Sequence, residues 1–320
     1  VSPEMKETTK AKTQNTKYSI VEGDEYLTSL DDRTSKFFYY NPKYLVINSC
    51  QWEHPDLFPT QAEYIANFEK LIDMITQSGI IIANANDKTV VEITQNIDCR
   101  VIYYSANKDK AYIQPHWYLE NTSKPLPTFI KLDRDVADLE IIPYERKIIG
   151  EFNEENLLAS TALAYEFGIK KERIQEAIAE FKGIKRRLEI KYQNRNFIII
   201  DDFGSSPPKA RGSIKALKGD YPDSEIYVIF EPNTGNRTEA SLATYENAFE
   251  DVNEIIFPRF TRLPKTELYR FNEQELSDRL KQYYSNITVV PDDDVLLKLL
   301  VKYIELGPDK HNLVKYFSIT

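Results

Sequence analysis

Short apolar runs alternate along the chain with amphipathic stretches. Apolar runs at residues 44–47, 80–83, 197–200, 226–230 and 254–257 predict β-strands, and the unbroken run at 197–200 is typical of a strand buried on both faces. Between the strands of the second half, apolar residues recur at helical spacing. This alternation of helix and strand predicts a doubly wound α/β sheet.

The remaining elements follow from the same two patterns, short apolar or alternating runs for strands and helical spacing for helices. Residues 101–143 carry short aromatic alternations between turns, which predicts an antiparallel appendage to an otherwise mostly parallel sheet. A boundary near 147–150 then separates an N-terminal domain, residues 1–148, from a Rossmann-like C-terminal α/β domain, residues 149–320. Further strands are predicted at 18–21, 188–192 and 313–317, and helices at about 60–76, 153–167, 171–181, from 208 onward, and near 240–249, 273–284 and 294–306.

The composition is that of a soluble protein with two domains. The chain has 320 residues, of which 42% are hydrophobic and 28% charged. Its formal net charge of −9 argues against nucleic acid or an anionic membrane as a partner. Cys50 and Cys99 form no disulfide framework, which favours a reducing compartment. No apolar run approaches the roughly 18 residues of a membrane span, and with a reducing compartment we expect a cytoplasmic protein.

Two adjacent carboxylates are the first candidates for chemistry. Asp201 and Asp202 directly follow the apolar run at 197–200, and a small loop and two prolines come next. In an open α/β sheet, ligands bind outside the carboxyl ends of the strands, which predicts that these carboxylates lie where the sheet does its chemistry. The alternative is that they only cap the helix that Pro207 and Pro208 open.

A candidate metal site comes from the first half of the chain. Glu22 and His54 lie beyond the ends of the predicted strands at 18–21 and 44–47. If those strands are neighbours, a carboxylate and an imidazole converge, and with water they suit Mg²⁺ or Mn²⁺ bridging a phosphate. The alternative is that His54 is a surface or structural histidine beside an acidic loop.

Two polar segments of the second half carry arginines. Residues 185–187 are Lys-Arg-Arg before a predicted strand, and arginine forks suit phosphate; the alternative is a solvated basic turn. The loop at 231–238 follows a predicted strand and offers Arg237 to a carboxylate. The sequence has no Walker-type phosphate loop, because no two of its ten glycines are spaced as that motif requires.

Taken together, these motifs resemble the Mur ligase family, the ATP-dependent enzymes that add amino acids or peptides to UDP-N-acetylmuramate. The resemblance runs from about residue 18 to residue 317 and is closest to the branches that add a peptide or L-alanine. It rests on the segments at 21–26, 33–37, 80–87, 150–156, 185–189 and 201–203, which come in the family's order. It implies the middle and C-terminal domains of such a ligase.

The resemblance also implies roles for individual residues. Glu22 and His54 match the family's metal ligands, for Mg²⁺ or Mn²⁺. Asn153 and Asn156 match residues at the adenine of ATP, and Arg187 matches an arginine that reaches the ATP phosphates.

In the C-terminal part, the resemblance makes Asp202 a ribose or hinge carboxylate, and with Arg187 it completes the expected catalytic pair. Arg237 matches an arginine of the loop that faces the incoming amino acid or peptide, and Asn233 belongs to the same loop. Ser205 and Ser206 stand at a substrate-facing position where the family has paired histidines.

The resemblance therefore implies an ATP-dependent ligase that joins an amino acid or peptide to UDP-N-acetylmuramate through an acyl phosphate, in peptidoglycan synthesis or recycling. Phe152 replaces the histidine of the family's linker, and the N-terminal UDP-binding domain with its phosphate loop is not represented. We expect a fragment of a longer enzyme that is inactive by itself. The alternatives are a degenerate paralogue and a catalytically inactive binding module that keeps the fold.

Overall fold

The computed structural model describes most of the chain in two compact units. One unit comprises Val1–Leu119 with Ile130–Glu140, and the other comprises Glu120–Phe129 with Ile141–Thr320. The described residues are 18–29, 31–52, 57–120, 128–131, 140–143, 148–261, 270–305 and 313–318.

The first sheet has six strands in the order of the sequence. Its first four strands pair in parallel, from β1 to β4. The strands are β1 (Tyr44–Ile47), β2 (Ile80–Asn84), β3 (Arg100–Ser105), β4 (Trp117–Glu120), β5 (Thr128–Lys131) and β6 (Glu140–Pro143). Helices α1 (Gln61–Asp73) and α2 (Lys88–Thr94) follow β1 and β2.

Side-chain caps start both helices of this unit. The Thr60 hydroxyl accepts the N–H of Glu63 at 3.2 Å, and the Asp87 carboxylate accepts the N–H of Val90 at 3.1 Å. Such caps satisfy backbone donors that have no partner inside the first turn. The sequence pattern missed α2 because its seven residues, Lys-Thr-Val-Val-Glu-Ile-Thr, are mostly β-branched and favour a strand by propensity.

Two expectations for the first unit are wrong. Residues 18–21 form no strand, and Ile20 is 97% exposed, because no ladder joins them to a neighbour in the described part of the chain. β3 and β4 belong to the parallel sheet rather than to an antiparallel appendage. The aromatic alternation misled the prediction because Tyr103 and Tyr104 are both buried, with hydroxyls that bond Thr94 at 3.0 Å and Asn48 at 3.3 Å.

The second sheet also has six strands, in the order β11-β10-β9-β12-β8-β7. All pairings are parallel except that of the edge strand β7 with β8. Its strands are β7 (Glu189–Gln193), β8 (Phe197–Asp202), β9 (Glu225–Phe230), β10 (Glu254–Phe257), β11 (Ile287–Val289) and β12 (Leu313–Ser318). Its helices are α3 (Glu151–Glu166), α4 (Lys171–Glu180), α5 (Pro207–Asp220), α6 (Glu273–Leu280) and α7 (Asp293–Glu305).

The central strands of this sheet are buried by helices on both faces. On one face α5 packs Ala210, Ile214 and Leu217 against the apolar residues of β8, β9 and β10. On the other face α7 packs against Ile229 and Ile256. Burial on both faces explains the continuous apolar runs of β9 and β10.

The structure confirms the predicted fold class, a mixed α/β chain with mostly parallel pairing, and the antiparallel pair it shows is that of β7 with β8. The predicted helix near 240–249 is instead a 3₁₀-helix, Glu239–Tyr245, and β11 was not predicted. Within the described residues, no helix has the length and apolar character needed to cross a membrane.

Candidate active site

The loops after β8 and β9 meet at the carboxyl edge of the second sheet. The N–H of Asn233, in the loop after β9, donates to the carbonyl of Ser205, in the loop after β8, at 2.9 Å. Ser205 is buried, and Ser206 is the N-cap residue of α5. The side chain of Asn233 accepts the N–H of Asn236 and so caps the short 3₁₀-helix Thr234–Asn236. The structure therefore brings Ser205, Ser206 and Asn233 together, as their positions at strand ends predict.

Asp202 is a buried carboxylate with only 5% of its surface exposed. Its Oδ1 accepts the N–H of Leu188 at 2.9 Å, and its Oδ2 accepts the hydroxyl of Ser213 at 2.8 Å. Ser213 lies in the second turn of α5, so Asp202 connects that helix to the segment before β7. It is not the N-cap of α5, because that position belongs to Ser206.

The segment before β7 carries two strained residues around Arg187. Arg186 and Leu188 have φ angles of 57° and 48°, in the left-handed region that non-glycine residues rarely adopt. Each such residue costs on the order of 1–2 kcal/mol relative to its preferred backbone conformation. The Arg186 guanidinium lies over the Phe203 ring at 4.8 Å, whereas the Arg187 side chain is exposed. The Arg187 side chain is therefore solvated, whereas that of Arg186 packs on an aromatic ring, and the phosphate role of Arg187 stays a prediction.

Glu189, at the start of β7, stabilises the same segment. Its Oε2 accepts the N–H of Arg186 at 2.9 Å, and its Oε1 lies 3.0 Å from the ammonium of Lys191. The Arg186 N–H and then Lys191 lower the pKa of the Glu189 carboxyl below its ordinary value. Asp201 lies opposite Glu189 across the β7–β8 pair, and its carboxylate is 3.8 Å from the same ammonium.

Arg237 is a buried arginine of this edge, 5% exposed, with several bonds to the chain. Its Nε donates to the Pro232 carbonyl at 2.7 Å, one terminal nitrogen donates to the Thr261 carbonyl at 3.0 Å, and the other donates to Glu231 at 2.8 Å. The guanidinium also lies 4.6 Å from the centre of the Phe260 ring. Three of the five N–H donors of the guanidinium therefore bond to the chain, and the burial of the side chain leaves little of it open to a substrate carboxylate.

Asn153 and Asn156 share one face of α3, three positions apart. The Asn153 amide donates to the carbonyl of Ile149 at 2.7 Å, and both side chains are half-buried. Gly150 is the N-cap residue of this helix, with a φ of 93°, and its N–H donates to Asp220 at 3.0 Å.

The first unit has a cavity of about 550 Å³ at the carboxyl end of β1. Its polar lining consists of Glu25, Asn48, Ser49 and Gln51. Carboxylate, amide and hydroxyl oxygens are donors that Mg²⁺ accepts, so this lining fits the predicted cation. Apolar side chains of Phe37, Leu45, Ile47, Tyr64, Phe68 and Leu71 complete the walls.

The predicted metal ligands themselves are not brought together in what the structure describes. Glu22 is exposed, and His54 lies outside the described residues. Among the described residues, no three His, Cys, Asp or Glu side chains form a group that could hold a metal ion. Asp24, two positions from Glu22, pairs with Lys36 at 2.8 Å. The pair Glu22 and His54 therefore stays a prediction.

Sequence reasoning missed several residues that organise the carboxyl edge. Glu231 accepts from both Arg237 and the N–H of Thr261, the latter at 2.6 Å. Glu189 accepts the N–H of Arg186, and Ser213 donates to Asp202, which accepts the N–H of Leu188. The presence of Glu231 six positions before Arg237 was a signal for an internal ion pair, whereas nothing in the sequence indicated Ser213.

Comparison with known proteins identifies the class. A family profile described as the Mur ligase middle domain matches residues 4–164. The chain therefore belongs to the Mur ligase family.

Among similar curated proteins are UDP-N-acetylmuramate–L-alanine ligases. The one from Acetivibrio thermocellus is 26% identical over 293 residues, which are 91% of this chain and 60% of that protein. The one from Alkaliphilus metalliredigens is 28% identical over 256 residues, which are 80% of this chain and 53% of that protein. The chain thus spans only part of the length of the curated relatives it matches.

Solved structures share the fold. The UDP-N-acetylmuramate–alanine ligase of Thermotoga maritima has a TM-score of 0.60 and 19% identity, covering 89% of this chain and 58% of its own. The murein peptide ligase of Psychrobacter arcticus has a TM-score of 0.57 and 19% identity, and the match covers 93% of this chain and 58% of that protein. A MurF ligase of Thermotoga maritima in complex with ADP has a TM-score of 0.58 and 14% identity, and the match covers 87% of this chain and 58% of that protein.

Proposed function

We propose that this chain forms the middle and C-terminal parts of a cytoplasmic, ATP-dependent ligase that joins an amino acid or peptide to UDP-N-acetylmuramate. Its relatives are named for the L-alanine ligase reaction, and one structural neighbour contains ADP. The observation that carries the proposal is the hydrogen-bonded carboxyl edge of the second sheet, where Glu189 and Asp202 hold the backbone on either side of Arg187 while its side chain stays exposed. The N-terminal UDP-binding part belongs to the proposed full-length enzyme.

The proposed reaction proceeds through an acyl phosphate. ATP phosphorylates the substrate carboxylate, an amine attacks the acyl carbon, and phosphate leaves. An exposed guanidinium on a fixed backbone suits the charge on a transferring phosphoryl group, and this is the role of Arg187. A bound Mg²⁺ would supply further charge neutralisation, and Glu22 and His54 would hold it. Asp202 contributes by holding the backbone next to Arg187.

The remaining residues serve binding in this proposal. Asn153 and Asn156 present amide groups from one face of α3 toward the adenine, and each is only half-buried. Asn233, Ser205 and Ser206 line the loops that face the incoming amine. Arg237 acts on the same substrate by holding the Asn233 loop, because its buried guanidinium bonds to the chain through three of its five N–H donors.

Nucleotide binding tests the proposal directly. Titration of the chain with a fluorescent ATP analogue and Mg²⁺ should give saturable binding that weakens about fivefold or more in Asn153→Ala and Arg187→Ala, because each loses a contact worth about 1–3 kcal/mol. Arg195→Ala is the matched control, since Arg195 is an exposed arginine in the β7–β8 turn of the same unit. Equal affinity in all four proteins, or no binding, would contradict the proposal.

The alternative is a binding module without catalysis, favoured by the lack of a Walker sequence in this chain. Backbone amides and the lysine of that motif hold the β- and γ-phosphates in enzymes that use it. We therefore expect no ATP-dependent phosphate release by the chain alone, with UDP-N-acetylmuramate and L-alanine present. Release above a heat-inactivated sample would show that the chain is catalytic without the motif.

The metal ligands have their own test. Mn²⁺ accepts imidazole more readily than Mg²⁺, so Mn²⁺ titration near pH 8, where the imidazole is neutral, should detect the site. His54→Ala should weaken Mn²⁺ binding about tenfold, taking a lost buried contact as the guide. His116→Asn is the control, because Nδ1 of His116 already accepts the N–H of Tyr103 at 3.0 Å. Unchanged affinity in His54→Ala would remove His54 from the site.

A further inference from the structure

We propose that Glu189 and Asp202 are positioning residues that hold the backbone of residues 186–188 in its strained form and thereby aim the Arg187 side chain at a phosphate group. This inference rests on the proposed function for the identity of the ligand, and on the geometry of the chain for the clamp itself. The segment of residues 186–188 is called the arginine loop below.

The strain of the arginine loop is localised on both sides of Arg187. Arg186 and Leu188 are two of only four non-glycine residues with positive φ in the described part of the chain. Neither is a residue type that favours the left-handed region, as asparagine and glycine do. Such a conformation persists only where surrounding contacts determine it, and such residues cluster at functional sites.

Three hydrogen bonds hold the backbone of the arginine loop in this conformation. The N–H of Arg186 donates to Glu189 at 2.9 Å, and the N–H of Leu188 donates to Asp202 at 2.9 Å. Between them, the N–H of Arg187 donates to the carbonyl of Ile184 at 3.1 Å. Each backbone donor of the arginine loop therefore has an acceptor, and the two acceptors at its ends are carboxylates.

Side chains anchor the two ends of the loop but leave its centre open. Leu188 is buried at 4% exposure, and the Arg186 guanidinium lies over Phe203, whose N–H donates to the Arg186 carbonyl at 2.8 Å. Within the described part of the chain, the guanidinium of Arg187 has no partner.

This arrangement suits positioning rather than simple stabilisation. A long arginine side chain loses conformational entropy when it binds a phosphate, and a fixed backbone limits that loss by setting the direction of its Cα–Cβ bond. Two carboxylates held at opposite ends of the arginine loop set that direction without occupying the guanidinium. The single exposed guanidinium is thus the part of the loop left for a ligand.

Backbone amide exchange measures the clamp without any ligand. Glu189→Gln should speed the exchange of the Arg186 amide about tenfold, and Asp202→Asn should do the same for the Leu188 amide, because each loses a charged acceptor. Glu275→Gln is the matched control: Glu275 accepts the N–H of Asn272 at 2.9 Å in the same unit, at the start of α6. It should leave both amides unchanged.

Inorganic tripolyphosphate, titrated by calorimetry, measures positioning. Glu189→Gln should weaken its binding several-fold in the otherwise unchanged chain, and should have no further effect when combined with Arg187→Ala. If Glu189 only stabilised the fold, Glu189→Gln would lower the tripolyphosphate affinity by the same factor in the wild-type chain and in Arg187→Ala. Glu275→Gln should leave the affinity unchanged in both.

The outcomes separate the inference from the proposed function. Unchanged amide exchange in Glu189→Gln and Asp202→Asn would overturn the clamp. Faster exchange with an affinity loss that does not depend on Arg187 would overturn the positioning role and leave the clamp as structural. If the wild-type chain bound no tripolyphosphate, or bound it equally after Arg187→Ala, the phosphate role of Arg187 would be overturned, and the positioning role with it.

Discussion

Arg237 and Glu231 form a buried ion pair that holds the loop after β9 to the residues near Thr261. Their side chains are only 6% and 12% exposed. We expect Arg237→Ala to lower the free energy of unfolding by about 3–5 kcal/mol, because it leaves a poorly solvated carboxylate without its counter-charge and removes a donor from two carbonyls. Urea denaturation followed by circular dichroism measures the change.

A matched control exists in the same unit. Arg279 pairs with Glu239 at 2.9 Å and lies over the Phe271 ring at 5.5 Å, but its side chain is 53% exposed. Arg279→Ala should therefore cost less than about 1 kcal/mol. Equal losses in the two variants would show that the Arg237 contacts contribute no more than a surface pair.

The carboxylate of Glu189 makes a pH-dependent contribution to stability. Because its pKa in the folded chain is below the ordinary value of 4.5, the folded state favours the ionised form. The contribution is fully present above that ordinary value and is lost as the pH falls through the lowered pKa.

The difference in unfolding free energy between wild type and Glu189→Gln should therefore be constant from neutral pH down to about pH 5 and should shrink below it. Denaturation curves recorded at intervals between neutral pH and pH 3 measure it. A difference that grows on acidification would mean that the Glu189 contacts do not favour the carboxylate.

At the scale of elements, the start of α3 depends on a close approach at Gly150. A Cβ added there would lie 2.8 Å from the Phe152 ring and 2.9 Å from the Ala216 Cβ, and the φ of 93° is itself unfavourable for other residues. We expect Gly150→Ala to lower the free energy of unfolding by about 2–4 kcal/mol, from backbone strain and overpacking together.

Gly168, just after α3, separates the two causes. Its φ is 73°, but a Cβ added there would meet nothing within 4 Å. Gly168→Ala should therefore show the backbone cost alone, about 1 kcal/mol. If both substitutions cost the same, the packing of Phe152 and Ala216 against Gly150 makes no contribution.

At the scale of the whole molecule, the predicted boundary between residues 148 and 149 remains to be tested. We expect limited proteolysis to cut between about residues 145 and 152 and to leave a stable C-terminal fragment, because a sheet with its own core is a separately folding unit. Mass spectrometry of the fragments locates the cuts. Cleavage only within the second sheet, or no stable fragment, would contradict the boundary.

Much of the architecture was predictable because it depends on local periodicity. The strand at 254–257 was predicted with the bounds that β10 has, and the apolar run at 197–200 correctly located β8. The position of Asp202 at a strand's carboxyl end likewise follows from the chain order of apolar and acidic residues. These features need only information from neighbouring residues.

Tertiary structure decided the features that depend on distant partners. β12 comes last in the sequence, yet it pairs between β8 and β9, and no local pattern specifies which strands a strand will join. Residues 18–21 have the composition of a strand but form none, because a strand also needs a neighbour for its backbone hydrogen bonds.

The candidate site shows the same division. The sequence by itself determined which residue types stand at the strand ends: two carboxylates after β8, and a polar loop with Arg237 after β9. Only the fold decided their partners, since Asp202 reaches Ser213 and Leu188, and Arg237 reaches Thr261. A side chain's chemistry is local, whereas its hydrogen-bond partners are set by where the packed sheet and helices bring other segments of the chain.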